Sequence, residues 1–429
     1  MGPRPHRRGD PRRGEPRLET PLRREREIAR LSHRVPAEQE PNALWRLLER
    51  KRAEGRRILD LTVTNPSACG LVAFDEPARA ALAASADAAG RYEPDPRGLP
   101  AAREAIAAAY AAEGLRADPG RIFLTSSTSE AYAHLFRVLG DPGDEVLIPR
   151  PSYPLLAPIA ALEGIAAVPY RLAYDGRWRL DLDSMEAAAG PRTRAIVVIE
   201  PNNPTGSVLA SPERRAVEEV AARHGLALIA DEVFREFPWP PAERALPSWL
   251  EAPRVPTLVL GGISKSCGLP QLKLGWIAAA GPAEEVDRIA TGLEWVLDLF
   301  LSVGTPVQAA LPALLRSRAG FQAAARARLG ASLVAWRAWC ARVPGAEVLA
   351  AEGGWSAVVR VPGLGDAAER ALSKHDVLLH PAHFYDWDDD RHVVASLLPD
   401  PALLEEALGR LEHGIERGPA GYHGASPSA

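Results

Sequence analysis

Lysine is scarce in this chain of 429 residues, since only four of its 51 basic side chains are lysines. Two of the four, Lys265 and Lys273, lie eight positions apart. An arginine side chain stays protonated, whereas a lysine amine can lose its proton and attack a carbonyl carbon. This spacing indicates that the two amines take part in chemistry. The alternative interpretation is a pair of surface lysines in a turn.

Cysteine is also scarce, and long apolar runs are absent. The three cysteines, Cys69, Cys267 and Cys340, are widely spaced without a CxxC motif, which argues against a disulfide framework or a zinc site and for the cytoplasm. No apolar run approaches the roughly 20 residues of a membrane span, and the N-terminal arginines precede no apolar signal segment. A net charge of −4 gives no indication of a nucleic acid or membrane partner.

Both ends of the chain lack the apolar periodicity of packed elements. We predict a disordered, Arg- and Pro-rich extension over residues 1–27 and a loose tail over 417–429. Between them we predict an N-terminal segment over 28–64 that joins a small domain. A large domain over 65–300 follows, and the small C-terminal domain spans 301–416.

From residue 121 onward, short apolar runs alternate with polar loops and helical patterns. This alternation predicts an α/β fold, in which a mostly parallel sheet is covered by helices on both faces and a smaller α+β domain follows. Ligands of such sheets bind at the carboxyl ends of the strands. Polar groups follow the predicted strands at five places, namely Thr125–Ser129, Tyr153, Asn203, Asp231 and Lys265. The sequence therefore predicts one site that these loops build together.

The hydroxyl-rich run Thr125–Ser129 comes directly before a predicted helix, where free backbone N–H groups and the helix dipole favour a phosphate. An N-cap alone needs one such residue. An amine, a carboxylate and a phosphate site at one sheet edge are what pyridoxal phosphate requires, because this cofactor forms a Schiff base with a lysine and keeps its ring nitrogen protonated.

Four motifs then point to a family. They are Asn203-Pro204-Thr205-Gly206, Asp231-Glu232-Val233, Ser264-Lys265 with Lys273 eight residues later, and Tyr92-x-Pro94-x-x-x-Gly98. On these motifs, residues 40 to 415 or so resemble the fold type I pyridoxal-phosphate-dependent aminotransferases of class I/II, the aspartate aminotransferase-like family. The resemblance implies that the domain over 65–300 binds the cofactor. It also implies ping-pong transfer of an amino group from an amino acid to a 2-oxo acid through a Lys265 Schiff base.

The resemblance also implies a role for each matching residue. Lys265 is then the catalytic residue and Asp231 the partner of the pyridine nitrogen, while Asn203 binds the 3-oxygen and Tyr153 stacks on the ring. The phosphate falls to the hydroxyl and lysine residues Thr128, Ser129, Ser264 and Lys273. Tyr92 reaches the phosphate of a neighbouring subunit, which implies a homodimer with shared active sites. The substrate side falls to Asn65, Trp355 and Arg391, and no metal is expected.

The chain departs from the family pattern at several positions. Lys273 stands where an arginine is usual, so a point charge replaces a bidentate fork. The arginine that grips the substrate carboxylate in this family has two candidate positions, Val394 and Arg391, depending on the register. If neither position serves, the anchor lies among His380, His383 and Tyr385.

Two other functions fit parts of the pattern. A lyase, decarboxylase, racemase or oxidase uses the same scaffold and treats the substrate carbanion differently. A non-catalytic regulator that binds the cofactor is the third reading, but it needs a DNA-binding domain, and the 27-residue extension is too short for one.

Overall fold

A computed structural model describes residues 32–35, 42–242, 245–363 and 365–413. The extension predicted over 1–27 and the tail predicted over 417–429 lie outside the described residues. The predicted boundaries between the domains stay a prediction.

The strands are β1 (Leu59–Asp60), β2 (Ile122–Thr125), β3 (Glu145–Arg150), β4 (Ala166–Tyr174), β5 (Trp178–Leu180), β6 (Thr193–Ile199), β7 (Ala227–Asp231), β8 (Thr257–Gly262), β9 (Gly275–Ala280), β10 (Glu347–Val348), β11 (Ser356–Arg360), β12 (Val377–Leu378), β13 (His380–Pro381) and β14 (His392–Ser396).

The α-helices are α1 (Ala43–Ala53), α2 (Glu76–Ala84), α3 (Pro100–Ala111), α4 (Thr128–Leu139), α5 (Leu156–Leu162), α6 (Leu182–Ala188), α7 (Ser211–His224), α8 (Ile263–Ser266), α9 (Ala283–Phe300), α10 (Thr305–Ser317), α11 (Ala319–Arg342), α12 (Ala367–His375) and α13 (Pro401–His413). Short 3₁₀ helices cover Ala86–Gly90, Pro119–Arg121, Pro270–Leu272 and Ala382–Tyr385.

The large sheet has the strand order β2-β9-β8-β7-β6-β3-β4-β5. Strands β4, β3, β6, β7 and β8 run parallel to their neighbours in this series, while β9 is antiparallel to both β2 and β8. The predicted mostly parallel sheet is therefore confirmed. Strand β9 was not predicted, because its short run of alanines carries little β propensity.

Helices pack on both faces of this sheet, and the side chains of each strand alternate between them. In β6, for example, Val198 faces a core that α2, α3, α7 and α10 complete. Its neighbour Val197 faces the opposite core, which α4, α5 and α9 complete. Both cores are continuous and apolar, so they hold the carboxyl ends of the central strands in fixed positions.

A smaller sheet with the order β10-β11-β14-β13 packs beside the large one. Strand β1 pairs in parallel with β12, so the segment that precedes the large sheet packs with this second unit. Helices α1, α11, α12 and α13 share its core. The periodicity of the sequence predicts one long helical run over 306–341, but the structure has two helices there, α10 and α11, which meet at Arg318.

Among the described residues, no helix combines the length and the apolar character needed to cross a membrane.

Candidate functional site

A cavity of about 470 Å³ lies between the carboxyl ends of the large sheet and the smaller sheet. This volume falls in the range of about 300–1,000 Å³ that small-molecule sites occupy. Eight of the predicted site residues line it together, namely Thr128, Ser129, Tyr153, Asn203, Asp231, Ser264, Lys265 and Lys273. The loops that follow the strands therefore meet at one cavity, as the sequence predicts.

Lys265 enters the cavity from the four-residue helix α8, which directly follows β8. Its Nζ lies 5.0 Å from the ring centroid of Trp355 and 5.6 Å from that of Phe234. Burial lowers the pKa of this amine, and the carboxylate of Asp231 acts in the opposite direction. Since an uncharged amine is the nucleophilic form, burial in this aromatic corner prepares Lys265 to attack a carbonyl group.

Asp231, the last residue of β7, is buried and faces the same cavity. Burial raises its pKa to about 6, while hydrogen bonds from Val233 and Tyr132 and the charge of Lys265 lower it. The Tyr132 hydroxyl donates to Oδ2 at 3.0 Å, and the backbone N–H of Val233 donates to Oδ1 at 3.1 Å. Both carboxylate oxygens are thus held by donors, which fixes the orientation of the group.

The end of the cavity that is suited to bind a phosphate lies at the start of α4. Ser127 is the N-cap, and its hydroxyl accepts the N–H of Glu130 at 3.1 Å. The N–H groups of Thr128 and Ser129 have no partner within the helix, as in every first turn, so they can donate to an anion. Lys273 lines the cavity with a backbone φ of 54° and contributes the positive charge.

The loop after β6 brings Asn203 to the cavity and then turns sharply at Gly206. Gly206 has a φ of +70°, and a Cβ on it would lie 2.5 Å from the carbonyl oxygen of Gly353. In return, the N–H groups of Glu352 and Gly353 both donate to the Gly206 carbonyl at 3.0 Å. The glycine of the Asn-Pro-Thr-Gly motif therefore permits a backbone contact between the loop after β6 and the loop before β11.

The structure does not bring four of the predicted residues to the cavity lining. Asn65 forms a turn in which its side chain accepts the N–H and the hydroxyl of Ser67. Trp355 is buried behind Lys265 within an aromatic cluster. The Tyr92 side chain is 83% exposed on the surface of the chain. Its contact with the phosphate of a neighbouring subunit stays a prediction.

Arg391 does not support the predicted substrate contact either. It precedes β14, its side chain is 64% exposed, and it pairs with Asp389 at 3.4 Å. The alternative position, Val394, is buried in a small apolar cluster with Val358 and Tyr385. In neither register does the structure place an arginine among the described residues that line the cavity.

Thr62, Thr64 and Ser356, which were not among the predicted residues, line the cavity from the side of the smaller sheet. His380 and Tyr385, two of the alternative anchors named from the sequence, line it beside them. Tyr132 supports Asp231 from a buried helix position. Thr62 and Thr64 flank Val63 directly before the Asn65-Pro66 turn, and that loop position was the one sequence signal that could have found them.

These groups fit pyridoxal phosphate. The first turn of α4, Ser264 and Lys273 could hold the phosphate, the buried Asp231 carboxylate could pair with the ring nitrogen, and the Lys265 amine could take the aldehyde. Tyr153 offers an aromatic face beside them, and Asn203 an amide.

Comparison with known proteins agrees with this site. Residues 58–388 match the family model "Aminotransferase class I and II". Glutamate-pyruvate aminotransferase AlaA of Escherichia coli (strain K12) is 33% identical over 268 residues, which cover 62% of this chain and 65% of that protein. The chain thus spans about 65% of the length of this relative. Alanine aminotransferase of Mycobacterium bovis is 30% identical over 83% of this chain and 79% of its own length.

Solved structures give the same result. An aminotransferase from Escherichia coli superposes with a TM-score of 0.76 at 26% identity, over 88% of this chain and 98% of its own. Alanine aminotransferase from Pyrococcus furiosus reaches a TM-score of 0.80 at 24% identity, over 90% of this chain and 99% of its own, which bears on the fold alone. The chain therefore belongs to the class I and II aminotransferases, the fold type I family of pyridoxal-phosphate-dependent enzymes that includes aspartate aminotransferase.

Proposed function

We propose that this protein is a pyridoxal-phosphate-dependent aminotransferase that moves an amino group from an amino acid to a 2-oxo acid in a ping-pong cycle. The observation that carries this proposal is the buried amine of Lys265 in one cavity with the buried carboxylate of Asp231. The relatives named above act, by their names, on alanine or on glutamate and pyruvate. These compounds are therefore the first substrates to test.

When bound, pyridoxal phosphate supplies an aldehyde that condenses with amines and a ring that withdraws electrons from the substrate Cα. Lys265 would hold the cofactor covalently through its amine. Because burial lowers the pKa of this amine, Lys265 would also serve as the base that moves the substrate Cα proton. Asp231 would keep the ring nitrogen protonated, with its own orientation fixed by Tyr132 and Val233.

The other cavity residues would hold the cofactor in place. The N–H groups of Thr128 and Ser129, the Ser264 hydroxyl and the Lys273 side chain would bind the phosphate. Tyr153 would stack on the cofactor ring, and the Asn203 amide would donate to the 3-oxygen. Lys273 acts here as a point charge in place of a guanidinium fork.

We infer further that the enzyme works as a homodimer, because an exposed apolar surface lies next to the predicted inter-subunit residue. Trp295 and Leu299 of α9 are 71% and 79% exposed, and Phe300 and Leu301 continue the surface. Leu301 and Tyr92 line one groove. Apolar groups gathered in this way are typical of a surface that another protein chain covers.

The test of the proposed reaction is the half-reaction of the holoenzyme with L-alanine, L-glutamate and a panel of other amino acids. We expect the pyridoxamine form to appear, followed by absorbance, and a 2-oxo acid to reverse it. Lys265→Ala should abolish this change, and Lys374→Ala, a surface control, should leave it intact. Failure across the whole panel would rule out the aminotransferase. Release of ammonia or carbon dioxide without an acceptor acid would identify a lyase or decarboxylase instead.

A further inference from the structure

The cavity wall formed by the smaller sheet and the segment after β1 differs in charge from the cofactor side. It consists of five neutral polar residues, namely Thr62, Thr64, Ser356, His380 and Tyr385. Among the described residues that line the cavity, the acidic and basic ones are Asp231, Lys265 and Lys273, and each has a cofactor role in the proposed function. A substrate therefore meets hydrogen-bonding groups on this wall, and neither an arginine nor a lysine.

His380 is the strongest of these groups. Its Nδ1 lies 3.0 Å from the hydroxyl of Tyr385, which is itself buried. Neither the Tyr385 hydroxyl nor the other imidazole nitrogen, Nε2, has a further hydrogen-bond partner within the described part of the chain. Burial lowers the pKa of His380, and the charge of Asp60 acts in the opposite direction, so burial favours the neutral ring.

The contact with Tyr385 supports the tautomer of the ring that leaves a donor toward the cavity. The Tyr385 hydroxyl has one proton to donate, and His380 Nδ1 lies within hydrogen-bond distance of it. When Nδ1 accepts this proton in a hydrogen bond, the imidazole must carry its own hydrogen on Nε2. Nε2–H is then an unused donor on a residue that lines the cavity. The hydroxyls of Ser356 and Thr64, which have no hydrogen-bond partner among the described residues, lie on the same wall.

Resting on the proposed function, we propose that His380 receives the carboxylate of the amino acid or 2-oxo acid substrate through Nε2–H, and that Tyr385 is the residue that positions it. A carboxylate oxygen accepts such donors and carries none of its own. The sequence positions that could have supplied an arginine do not compete, because Val394 is packed in an apolar cluster and Arg391 is paired outside the cavity. His380 is thus a specificity-determining residue for this reaction.

The inference is tested with propionate, an unreactive carboxylic acid with the carbon count of alanine, bound to the holoenzyme and followed by tryptophan fluorescence. His380→Leu removes the donor and should raise the Kd of propionate by about 10-fold or more. His380→Gln keeps an N–H near the same place and should recover part of this loss. The KM for L-alanine should rise in parallel with the Kd, with the absorbance of the bound cofactor unchanged.

Two further variants separate recognition from mere structural support. His383→Leu is the matched control, because His383 lies three residues away with its side chain 51% exposed and close to Asp366. It should bind propionate as the wild type does. Tyr385→Phe should weaken propionate binding by about threefold or more in the wild-type background, and have no effect when His380 is already leucine, since coupled residues are non-additive.

Equal Kd values for wild type and His380→Leu, or equal losses in His380→Leu and His383→Leu, would overturn the inference. An additive effect of Tyr385→Phe would overturn the positioning role. The proposed function fails separately. If the wild type transaminates no donor but loses propionate binding on His380→Leu, the aminotransferase is excluded while the carboxylate site stands.

Discussion

At the scale of single residues, burial and hydrogen bonding shift the pKa of one carboxyl group, that of Asp231, in opposite directions. Burial raises the pKa of Asp231 to about 6, and the donors Tyr132 and Val233 lower it. Because Asp231 must be ionised to pair with a protonated ring nitrogen, these donors extend the pH range in which the pair forms. In the proposed function, Tyr132 therefore supports the cofactor through its hydrogen bond to Asp231.

We expect Tyr132→Phe to weaken pyridoxal phosphate binding, and more so at pH 6 than at pH 8. Loss of the hydroxyl removes a donor that lowers the Asp231 pKa, so that pKa rises further above 6 and the carboxyl is protonated over more of the acidic range. A hydrogen bond to a charged group contributes about 1.5–3 kcal/mol, so the Kd should rise roughly 10-fold or more. Titrations of the apoenzyme by absorbance at the two pH values measure this.

Tyr170→Phe is the matched control for this change. Tyr170 is equally buried, but its hydroxyl donates to the backbone carbonyl of Val197 at 2.9 Å. Its loss should lower stability without altering the pH dependence of cofactor binding. A Tyr132→Phe enzyme with wild-type affinity at pH 6 would show that the carboxylate does not need this donor.

Sequence reasoning reached the residues that follow strands but missed those that act through tertiary contact. Lys265 and Asp231 could be predicted because each directly follows an apolar run, and all such runs end at one edge of a parallel sheet. Tyr132 lies 99 positions from Asp231 and looks like any apolar position of a helix. Arg391 stays a prediction, and its pairing with Asp389 could not be read from the order of residues.

At the scale of elements, the turn at Gly206 connects the cofactor loop to the chain segment that enters β11. We expect Gly206→Ala to cost about 2–4 kcal/mol of unfolding free energy, because its φ is positive and the new Cβ would collide with Gly353. Its kcat should fall as well, since the displaced segment carries Trp355 and Ser356. Urea unfolding and steady-state kinetics measure the two effects.

Gly225→Ala provides the comparison. Gly225 ends α7 with a similar φ of +63°, but no atom lies within 4 Å of the added Cβ. This variant should lose only about 1–2 kcal/mol and keep its kcat. Equal losses in both variants would mean that the close approach to Gly353 is unimportant.

The elements were predicted where their patterns were long and regular. The central strands β3, β6, β7 and β8 could be found from apolar runs bounded by loops. Strand β9 has an alanine run that matches a helix as well as a strand. The break between α10 and α11 was missed because the nearest residues that disfavour a helix, Pro312 and Gly320, lie inside α10 and α11, while Arg318 itself gives no stop signal.

At the scale of the whole molecule, the exposed apolar surface of α9 carries the proposed dimer. We expect Leu299→Asp to shift the protein from dimer to monomer in light scattering, because the charge would have to be buried at the interface. Activity should fall with the dimer, since the predicted contact of Tyr92 needs a second subunit. Val334→Asp is the control, as Val334 is 68% exposed on α11, outside this surface.

A Leu299→Asp protein that stays dimeric would move the interface elsewhere on the chain. A wild type that is monomeric and fully active would remove the shared site. The homodimer could be proposed from family resemblance, whereas the surface proposed to form it can be recognised only in the folded chain, where Trp295 and Leu299 are exposed. Exposure is a property of the packed chain, so composition and periodicity could not reveal it.

The backbone contact between Gly206 and Gly353 also bears on how this scaffold can change over evolution. The main-chain hydrogen bonds from Glu352 and Gly353 to the Gly206 carbonyl help to set the distance between the loop that carries Asn203 and the segment that carries Ser356. Side chains on the substrate wall can therefore mutate without moving that wall away from Lys265. Substrate preference could then change during evolution while the position of the Lys265 amine stays the same.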